Sequence, residues 1–198
     1  MKNKDDDKLK KELEIRFNQF TPKLIRLKEV DRRAAILINI QEHNNELKVL
    51  MVKRASEPND PWSGQIAYPG GRMEKSDSDT LETAIRETFE EVGLNVTKKE
   101  IIGKLSEVRT HVNNIVVTPY VSFKSETKKL ELNSEIVNGL WVPIKTFNYK
   151  RFKRMKIFHD KDIVKTRTCY VFEGQIIWGL TRKISFELNK ILGKQNDN

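Results

Sequence analysis

The chain has 198 residues, of which 37 are basic and 28 acidic, giving a formal net charge of +9 at pH 7. A hydrophobic fraction of 37% beside a charged fraction of 33% indicates one globular domain with a real core and excludes a wholly disordered chain. No apolar run is long enough to span a membrane, and residues 1–11 are too charged for a signal peptide, so we expect a cytoplasmic protein. The single cysteine, Cys169, excludes an internal disulfide and a cysteine metal site.

The elements before the middle of the chain follow from apolar patterning. Residues 8–20 predict an amphipathic helix whose apolar side is Leu9, Leu13, Phe17 and Phe20 and whose end is marked by Pro22. The apolar run 34–40 predicts a buried strand, and 47–54 predicts a second strand paired with it. Residues 58–62 predict a loop, and 65–68 a short strand.

The second half predicts further strands and a closing helix. We expect strands at 101–108, 115–123, 140–143 and 168–172, a surface loop at 126–134, and a loop or short helix at 147–156. Residues 177–192 predict a terminal helix. This order of elements is typical of an α/β or α+β fold with a mixed β-sheet.

The stretch from Tyr68 to Leu94 carries the strongest signal. Ser76, Ser78 and Asp79 offer N-cap oxygens for a helix that Gly93 would end. A periodicity of 3.6 places six residues on one broad apolar side: Leu81, Ala84, Ile85, Thr88, Phe89 and Val92. The same periodicity predicts a carboxylate patch on the opposite, solvent-facing side, formed by Glu87, Glu90 and Glu91 with Arg86 at its margin.

This patch contains no histidine or cysteine, and carboxylates alone suit hard divalent cations such as Mg²⁺ or Mn²⁺. A glutamate-rich helix face is often only solvated, and the patch alone leaves that interpretation open. The preceding Pro69-Gly70-Gly71 favours a ligand site, because glycines allow close approach of the backbone. The basic balance of the chain attracts phosphates, although its lysines are scattered.

The segment resembles the Nudix box, G-x5-E-x7-R-E-U-x-E-E-x-G-U, where U is a bulky apolar residue. Arg86-Glu87, Glu90-Glu91 and Gly93-Leu94 match in register. The spacing from Gly71 to Arg86 is one residue longer than in the pattern, Ser78 stands where the lone glutamate is expected, and Thr88 replaces a bulky apolar residue.

Motifs outside the box resemble the coenzyme A pyrophosphatase branch of this family. They occupy residues 50–56, 64–71, 118–121, 135–136, 141–143 and 177–181. The segment 57–63 departs from that branch, because it is one residue longer and contains no basic residue.

The resemblance implies a Nudix-type α/β/α sandwich, with residues 1–27 as an N-terminal helix and lead-in and 28–194 as a single hydrolase domain. It implies a metal-dependent pyrophosphohydrolase that cleaves the diphosphate of a nucleoside diphosphate linked to another group. Coenzyme A or a derivative is the first candidate, and ADP-ribose or a dinucleotide such as NADH is the alternative. A non-catalytic Nudix-like module that binds a nucleotide or RNA is the rival from another class.

The resemblance also implies roles for individual residues. Glu87 and Glu91 would be the principal ligands of Mg²⁺ or Mn²⁺, Glu90 a further ligand, and Arg86 the residue that orients them. The general base would be Glu135 or Glu90. The expected substrate-binding residues are Arg54, Gly70, Gly71 and Arg72, and the basic run Lys150, Arg151, Lys153 and Arg154 is a further source of phosphate contacts.

The expected partner is a small nucleotide substrate, with no membrane and with nucleic acid disfavoured. Monomer and homodimer both stay open. His43, His111 and His159 are isolated in the sequence and form no ligand pair, so we expect no role for them in the site.

Overall fold

The computed structural model describes residues 4–58, 62–110, 113–124, 129–157 and 165–193. Within these ranges there are three α-helices, α1 (Lys4–Asn18), α2 (Thr80–Val92) and α3 (Gly179–Leu192). The same ranges contain eleven strands: β1 (Arg32–His43), β2 (Glu46–Arg54), β3 (Ile66–Ala67), β4 (Gly70–Arg72), β5 (Ile101–Lys104), β6 (Val108–Arg109), β7 (Ile115–Phe123), β8 (Ile136–Pro143), β9 (Lys153–Ile157), β10 (Lys165–Phe172) and β11 (Gln175–Ile177).

The large sheet is mixed, as predicted. Its central strand β1 runs parallel to β7 and antiparallel to both β2 and β4. Strands β3 and β8 extend the sheet from β2, while β5 and β6 pair with β7. The predicted strand at 101–108 is therefore two short strands, separated at Leu105, whose N–H donates to the carbonyl of Pro119.

Helices cover both faces of this sheet. Alternate side chains of a strand point to opposite faces, and along β1 the residues Ile38 and Ile40 belong to the core that contains α1 and α3. Ala35 and Leu37 belong to the other core, which α2 closes. This three-layer α/β/α arrangement confirms the predicted fold class.

The N-terminal helix packs on the domain as its pattern predicts. Leu13 and Phe17 are buried, and Leu9 and Phe20 pack against the same core. The fit is close, because a methyl group added at Gly103 of β5 would lie 2.7 Å from the Phe17 ring. The helix begins four residues earlier than predicted and ends at Asn18, before Pro22.

The prediction for the C-terminal part of the chain is partly wrong. Residues 147–156 contain a short 3₁₀ turn followed by β9, and β9, β10 and β11 form a separate antiparallel sheet. Strand β11 was not predicted. It follows a two-residue turn in which Glu173 and Gly174 have φ values of 47° and 74°, and positive φ at both positions is typical of a hairpin turn. Consequently α3 begins at Gly179 rather than at 177.

Some predictions fall outside the described residues. These are the middle of the 58–62 loop, the first part of the 126–134 loop, His111, His159 and the tail from 194. His43 is described, and it is exposed at the end of β1. No helix in the described ranges is long and apolar enough to cross a membrane. The boundary at residue 28 between lead-in and domain stays a prediction.

Candidate active site

The local sequence of α2 sets both of its ends. The Asp79 side chain accepts a hydrogen bond from the Glu82 N–H at 2.8 Å, which caps the N-terminus. Gly93 has φ of 68°, and its N–H donates to the Phe89 carbonyl at 2.8 Å, which ends the helix. The helix is held on the sheet by buried Ala84 and Val92, and its position fixes where the carboxylates lie.

The predicted division of α2 into an apolar side and a carboxylate side is wrong at two residues. Phe89 is 57% exposed, whereas Glu91 is only 3% exposed. Glu91 follows buried Ala84 by seven residues, close to two full helical turns, so it lies on the same side of α2, and the buried face includes one of the three glutamates. Thr88 is also buried, and its hydroxyl is satisfied within the helix by donating to the Ala84 carbonyl at 2.7 Å.

The Gly70-Gly71 pair lets the backbone of β4 approach both the sheet and the glutamates. At Gly70, where φ is 147°, an added Cβ would lie 2.2 Å from the Ala35 carbonyl oxygen. At Gly71 it would lie 2.3 Å from Glu87 Oε1. Glycine is therefore required at residue 70, where the backbone blocks a side chain, whereas a side chain at residue 71 would displace the Glu87 carboxylate.

Glu91 occupies a desolvated position with two polar partners. Its Oε2 accepts from the Gly70 N–H at 3.0 Å, and its Oε1 lies 3.5 Å from Arg54 Nη1. Burial raises the pKa of the Glu91 carboxyl to about 7, and the nearby charges of Glu87 and Glu135 add to this effect. The Gly70 N–H and Arg54 oppose it but do not cancel it.

Arg86 donates hydrogen bonds to three carboxylates. Its Nε and Nη2 donate to the two oxygens of Asp77 at 2.9 and 3.0 Å, a bidentate contact. Its Nη1 donates to Glu87 Oε1 at 3.1 Å and to Glu90 Oε2 at 3.0 Å. The remaining contact of Nη2, to the Arg72 carbonyl at 3.3 Å, ties the same guanidinium to β4.

Asp77 is the residue that sequence reasoning missed. It is buried, and its Oδ2 also accepts from the Thr83 hydroxyl and the Glu74 N–H, each at 2.9 Å. The Arg86 guanidinium is the main reason why the pKa of the Asp77 carboxyl is well below its usual range. Counting six residues from Gly71 reaches Asp77, whereas counting back from Arg86 reaches Ser78, and the structure puts Asp77 against the arginine.

Glu135 reaches the same site from the loop before β8. Its Oε2 lies 3.7 Å from Arg54 Nη2, and its side chain is 62% exposed. The backbone of the loop is fixed, because the Glu135 carbonyl accepts from the Ala55 N–H at 2.7 Å. Arg54, the last residue of β2, therefore lies between Glu91 and Glu135.

The predicted convergence of three glutamates is only partly present. Glu87 and Glu90 share Arg86, whereas Glu91 contacts Gly70 and Arg54. Among the residues that the structure describes, no three His, Cys, Asp or Glu side chains already form a metal-ligand set. The assignment of the three glutamates as ligands stays a prediction.

The chemistry of the donor set nevertheless fits a hard divalent cation. The acidic side chains at the site are all aspartate or glutamate, and carboxylate oxygens are the ligands that hard divalent cations prefer. Burial raises the pKa of Glu87 as well as that of Glu91, with Arg86 opposing it at Glu87. The arginines thus offset only part of the cost of burying these two side chains in their ionised form, and a bound cation would supply the missing positive charge.

The remaining predicted residue, Arg72, ends β4 with an exposed side chain. Its carbonyl, not its guanidinium, contacts Arg86. The basic run of residues 150–154 lies in the 3₁₀ turn and β9, on the separate small sheet, with exposed lysine and arginine side chains.

Comparison with known proteins places this chain in a family. The sequence model of the NUDIX domain matches residues 30–163. The chain is 30% identical over 177 residues to Nudix hydrolase 3 of Caenorhabditis elegans, covering 81% of this chain and 73% of the relative. It is 32% identical over 156 residues to the uncharacterized Nudix hydrolase NudL of Yersinia pestis, covering 78% of this chain and 76% of the relative.

A solved structure supports the fold. The crystal structure of a MutT/nudix family protein from Enterococcus faecalis superposes with a TM-score of 0.60 at 16% identity, covering 100% of this chain and 78% of that one. The domain match and the relatives confirm the predicted class of enzyme, a pyrophosphohydrolase. On the domain match and the identity to these relatives, the chain belongs to the Nudix hydrolase family.

Proposed function

We propose that this protein is a metal-dependent hydrolase of a nucleoside diphosphate linked to another group, with coenzyme A or a derivative as the first candidate substrate. Nudix hydrolases generally need divalent metal ions, and we propose Mg²⁺ or Mn²⁺ here. The observation that carries the proposal is the contact between the Gly70-Gly71 backbone and two glutamates of α2. It leaves carboxylates of low exposure beside a loop that requires glycine at residue 70.

The carboxylates would hold the metal. Glu87 and Glu91 are the principal ligands in this proposal, with Glu90 as a further one. The cation supplies positive charge to the diphosphate and assists the attack of water. Arg86, held by Asp77 on one side, fixes Glu87 and Glu90 on the other, so the ligands keep their orientation.

Two groups are candidates for the general base that takes a proton from the attacking water. Glu135 is exposed and lies beside Arg54, so it can reach a substrate that enters from solvent. Glu90 is also half-exposed, but it is engaged by Arg86 at 3.0 Å. The lighter engagement of Glu135, 3.7 Å from its arginine, favours it for this role.

Sequence motifs guide the choice of substrate within this class. The motifs at residues 50–56 and 64–71 resemble the coenzyme A branch, whereas the segment 57–63 lacks that branch's basic residue. ADP-ribose or a dinucleotide such as NADH is therefore the alternative substrate. A module that only binds a nucleotide or RNA is the rival, and it would have no use for a buried, desolvated Glu91.

A substrate panel tests the proposal. Purified protein is incubated with coenzyme A, ADP-ribose and NADH in Mg²⁺, in Mn²⁺ and in EDTA, and the products are separated by chromatography. We expect 4′-phosphopantetheine and 3′,5′-ADP from coenzyme A only when metal is present. Cleavage of ADP-ribose or NADH but not of coenzyme A would select the alternative, and binding of these nucleotides without cleavage in any metal would support the rival.

A further inference from the structure

A cleft of about 430 Å³ lies where β1 begins and β4 ends. It is lined by Arg32, Arg33, Arg72, Met73, Glu74 and Lys75. The register pairs Ala34 with Arg72, so Arg72 and Arg32 face the same side of the sheet, whereas Arg33 faces the other. Residues from both sides of the sheet therefore line the cleft. The cleft is therefore at the open end of the β1–β4 pair and not on one face of it.

The cleft carries an excess of positive charge. Four of its six lining residues are cationic, and Arg33 alone among them has a carboxylate partner in the described part of the chain, Glu107 at 3.6 Å. The acidic residue of the cleft, Glu74, is drawn toward Arg86, which lies 3.9 Å away. Arg32, Arg72 and Lys75 are left facing solvent together, an arrangement that attracts a compact anion.

The cleft adjoins the candidate active site at Glu74. This residue lines the cleft, and its carboxylate lies 3.9 Å from Arg86 Nη1, which donates to Glu87 and Glu90. The carbonyl of Arg72 also binds Arg86. A substrate whose diphosphate lies at the glutamates can thus place a second phosphorylated group in the cleft.

We propose that this cleft binds a phosphate monoester of the substrate, through the guanidinium groups of Arg32 and Arg72 with Lys75 beside them. Planar guanidinium groups bind phosphate in bidentate fashion, and both Arg32 and Arg72 line this cleft. The inference rests on the proposed function for the identity of the substrate. It extends that function by assigning a separate subsite that selects a substrate bearing a terminal phosphate.

The first experiment measures binding without hydrolysis. Calorimetric titration in EDTA compares adenosine 3′,5′-bisphosphate with AMP, which lacks the 3′-phosphate. We expect the bisphosphate to bind wild type about ten- to a hundredfold more tightly, because charge-assisted contacts to phosphate are strong. Arg32→Ala/Arg72→Ala should abolish most of that ratio. The control Arg26→Ala/Arg167→Ala removes two exposed arginines outside the cleft and should keep it.

The second experiment measures kcat/KM for coenzyme A and 3′-dephospho-coenzyme A with Mg²⁺ present. A preference for coenzyme A that falls in Arg32→Ala/Arg72→Ala, mainly through KM, supports the subsite. If neither compound is hydrolysed while the difference in binding persists, the proposed function fails and the subsite stands. If the cleft variant keeps the preference, or if Arg151→Ala/Arg154→Ala loses it instead, the subsite is refuted.

Discussion

Replacing Glu91 by glutamine should inactivate the enzyme and stabilise it at the same time. The amide keeps an oxygen that can accept from the Gly70 N–H, as Glu91 Oε2 does at 3.0 Å, but it cannot ionise. Loss of a metal ligand should reduce kcat by a factor on the order of a thousand. In EDTA the same variant should resist unfolding better than wild type.

The size of the gain follows from the pKa of the Glu91 carboxyl. Burial raises it from the ordinary 4.5 to about 7, and each pH unit corresponds to about 1.4 kcal/mol. Ionised Glu91 thus lowers the free energy of unfolding by about 3 kcal/mol above pH 7, and the opposing contributions of Arg54 and the Gly70 N–H are already contained in that pKa. The folded state binds this proton more tightly than the unfolded state, so wild-type stability falls as pH rises from 4.5 to about 7.

Urea unfolding in EDTA near pH 5 and near pH 8 measures this effect. We expect Glu91→Gln to exceed wild type by about 3 kcal/mol at the higher pH and by less than about 1 kcal/mol at the lower. Glu90→Gln is the matched control on the same helix, because that side chain is 51% exposed and should change stability little at either pH. A Glu91→Gln protein that is less stable than wild type at both pH values would refute the assigned desolvation.

Three further predictions test the remainder of the site. Gly71→Ala should reduce kcat/KM by about tenfold or more with little change in circular dichroism, because the added Cβ would lie 2.3 Å from Glu87 Oε1 and displace the carboxylate. A Gly71→Ala variant with the activity of wild type would show that Glu87 needs no fixed position. Asp77→Asn should lower the free energy of unfolding by about 1–3 kcal/mol at neutral pH. The difference should shrink as pH falls below 3.8, since the folded-state pKa of Asp77 is depressed and its contribution to stability is lost in acid. An equal difference at all pH values in urea titrations would contradict this. Millimolar Mg²⁺ or Mn²⁺ should raise Tm relative to EDTA, with about 2.7 kcal/mol expected at a hundredfold excess over Kd, and an unchanged Tm in both metals would count against the proposed ligands.

Local signals account for what the sequence predicted well. Helix α2 was placed correctly because its cap at Asp79 and its end at Gly93 involve only neighbouring residues. Strands β1 and β2 were placed correctly because their apolar runs are buried on both faces of the central sheet.

Two of the strands that were missed lack such patterns. Strand β9 contains Lys153, Arg154 and Lys156 on exposed positions, so apolar alternation is limited to Met155 and Ile157. Strand β11 has only three residues, and the turn before it, Glu173-Gly174, is not among the strongest hairpin dipeptides. These strands form because they pair with β10, which a local pattern does not reveal.

The site was predicted at the level of residue identity but not of geometry. The prediction placed Glu91 beside Glu87 and Glu90 in solvent, whereas a repeat of 3.6 residues per turn puts it on the same side of the helix as buried Ala84. What the helix alone does not reveal is the partner of Glu91, the Gly70 N–H, 21 residues earlier in the chain. Asp77 was missed for a related reason. The box is one residue longer than the pattern, so the sequence leaves both Asp77 and Ser78 as counterparts of the lone glutamate. Only the contact with Arg86 shows that Asp77 takes this place.

The energetics of Glu91 bear on which class of protein this is. A purely structural role, holding the loop through the Gly70 N–H, would be served by glutamine, which accepts the same hydrogen bond without a buried charge. A module that only binds an anionic nucleotide would gain from the change too, since glutamine removes a negative charge near the phosphates. Glutamate at this position lowers the stability of the folded protein near neutral pH, and it repels the substrate as well. Both disadvantages disappear when a divalent cation lies between the carboxylate and the diphosphate, so the buried glutamate favours a metal-dependent hydrolase over a binding module.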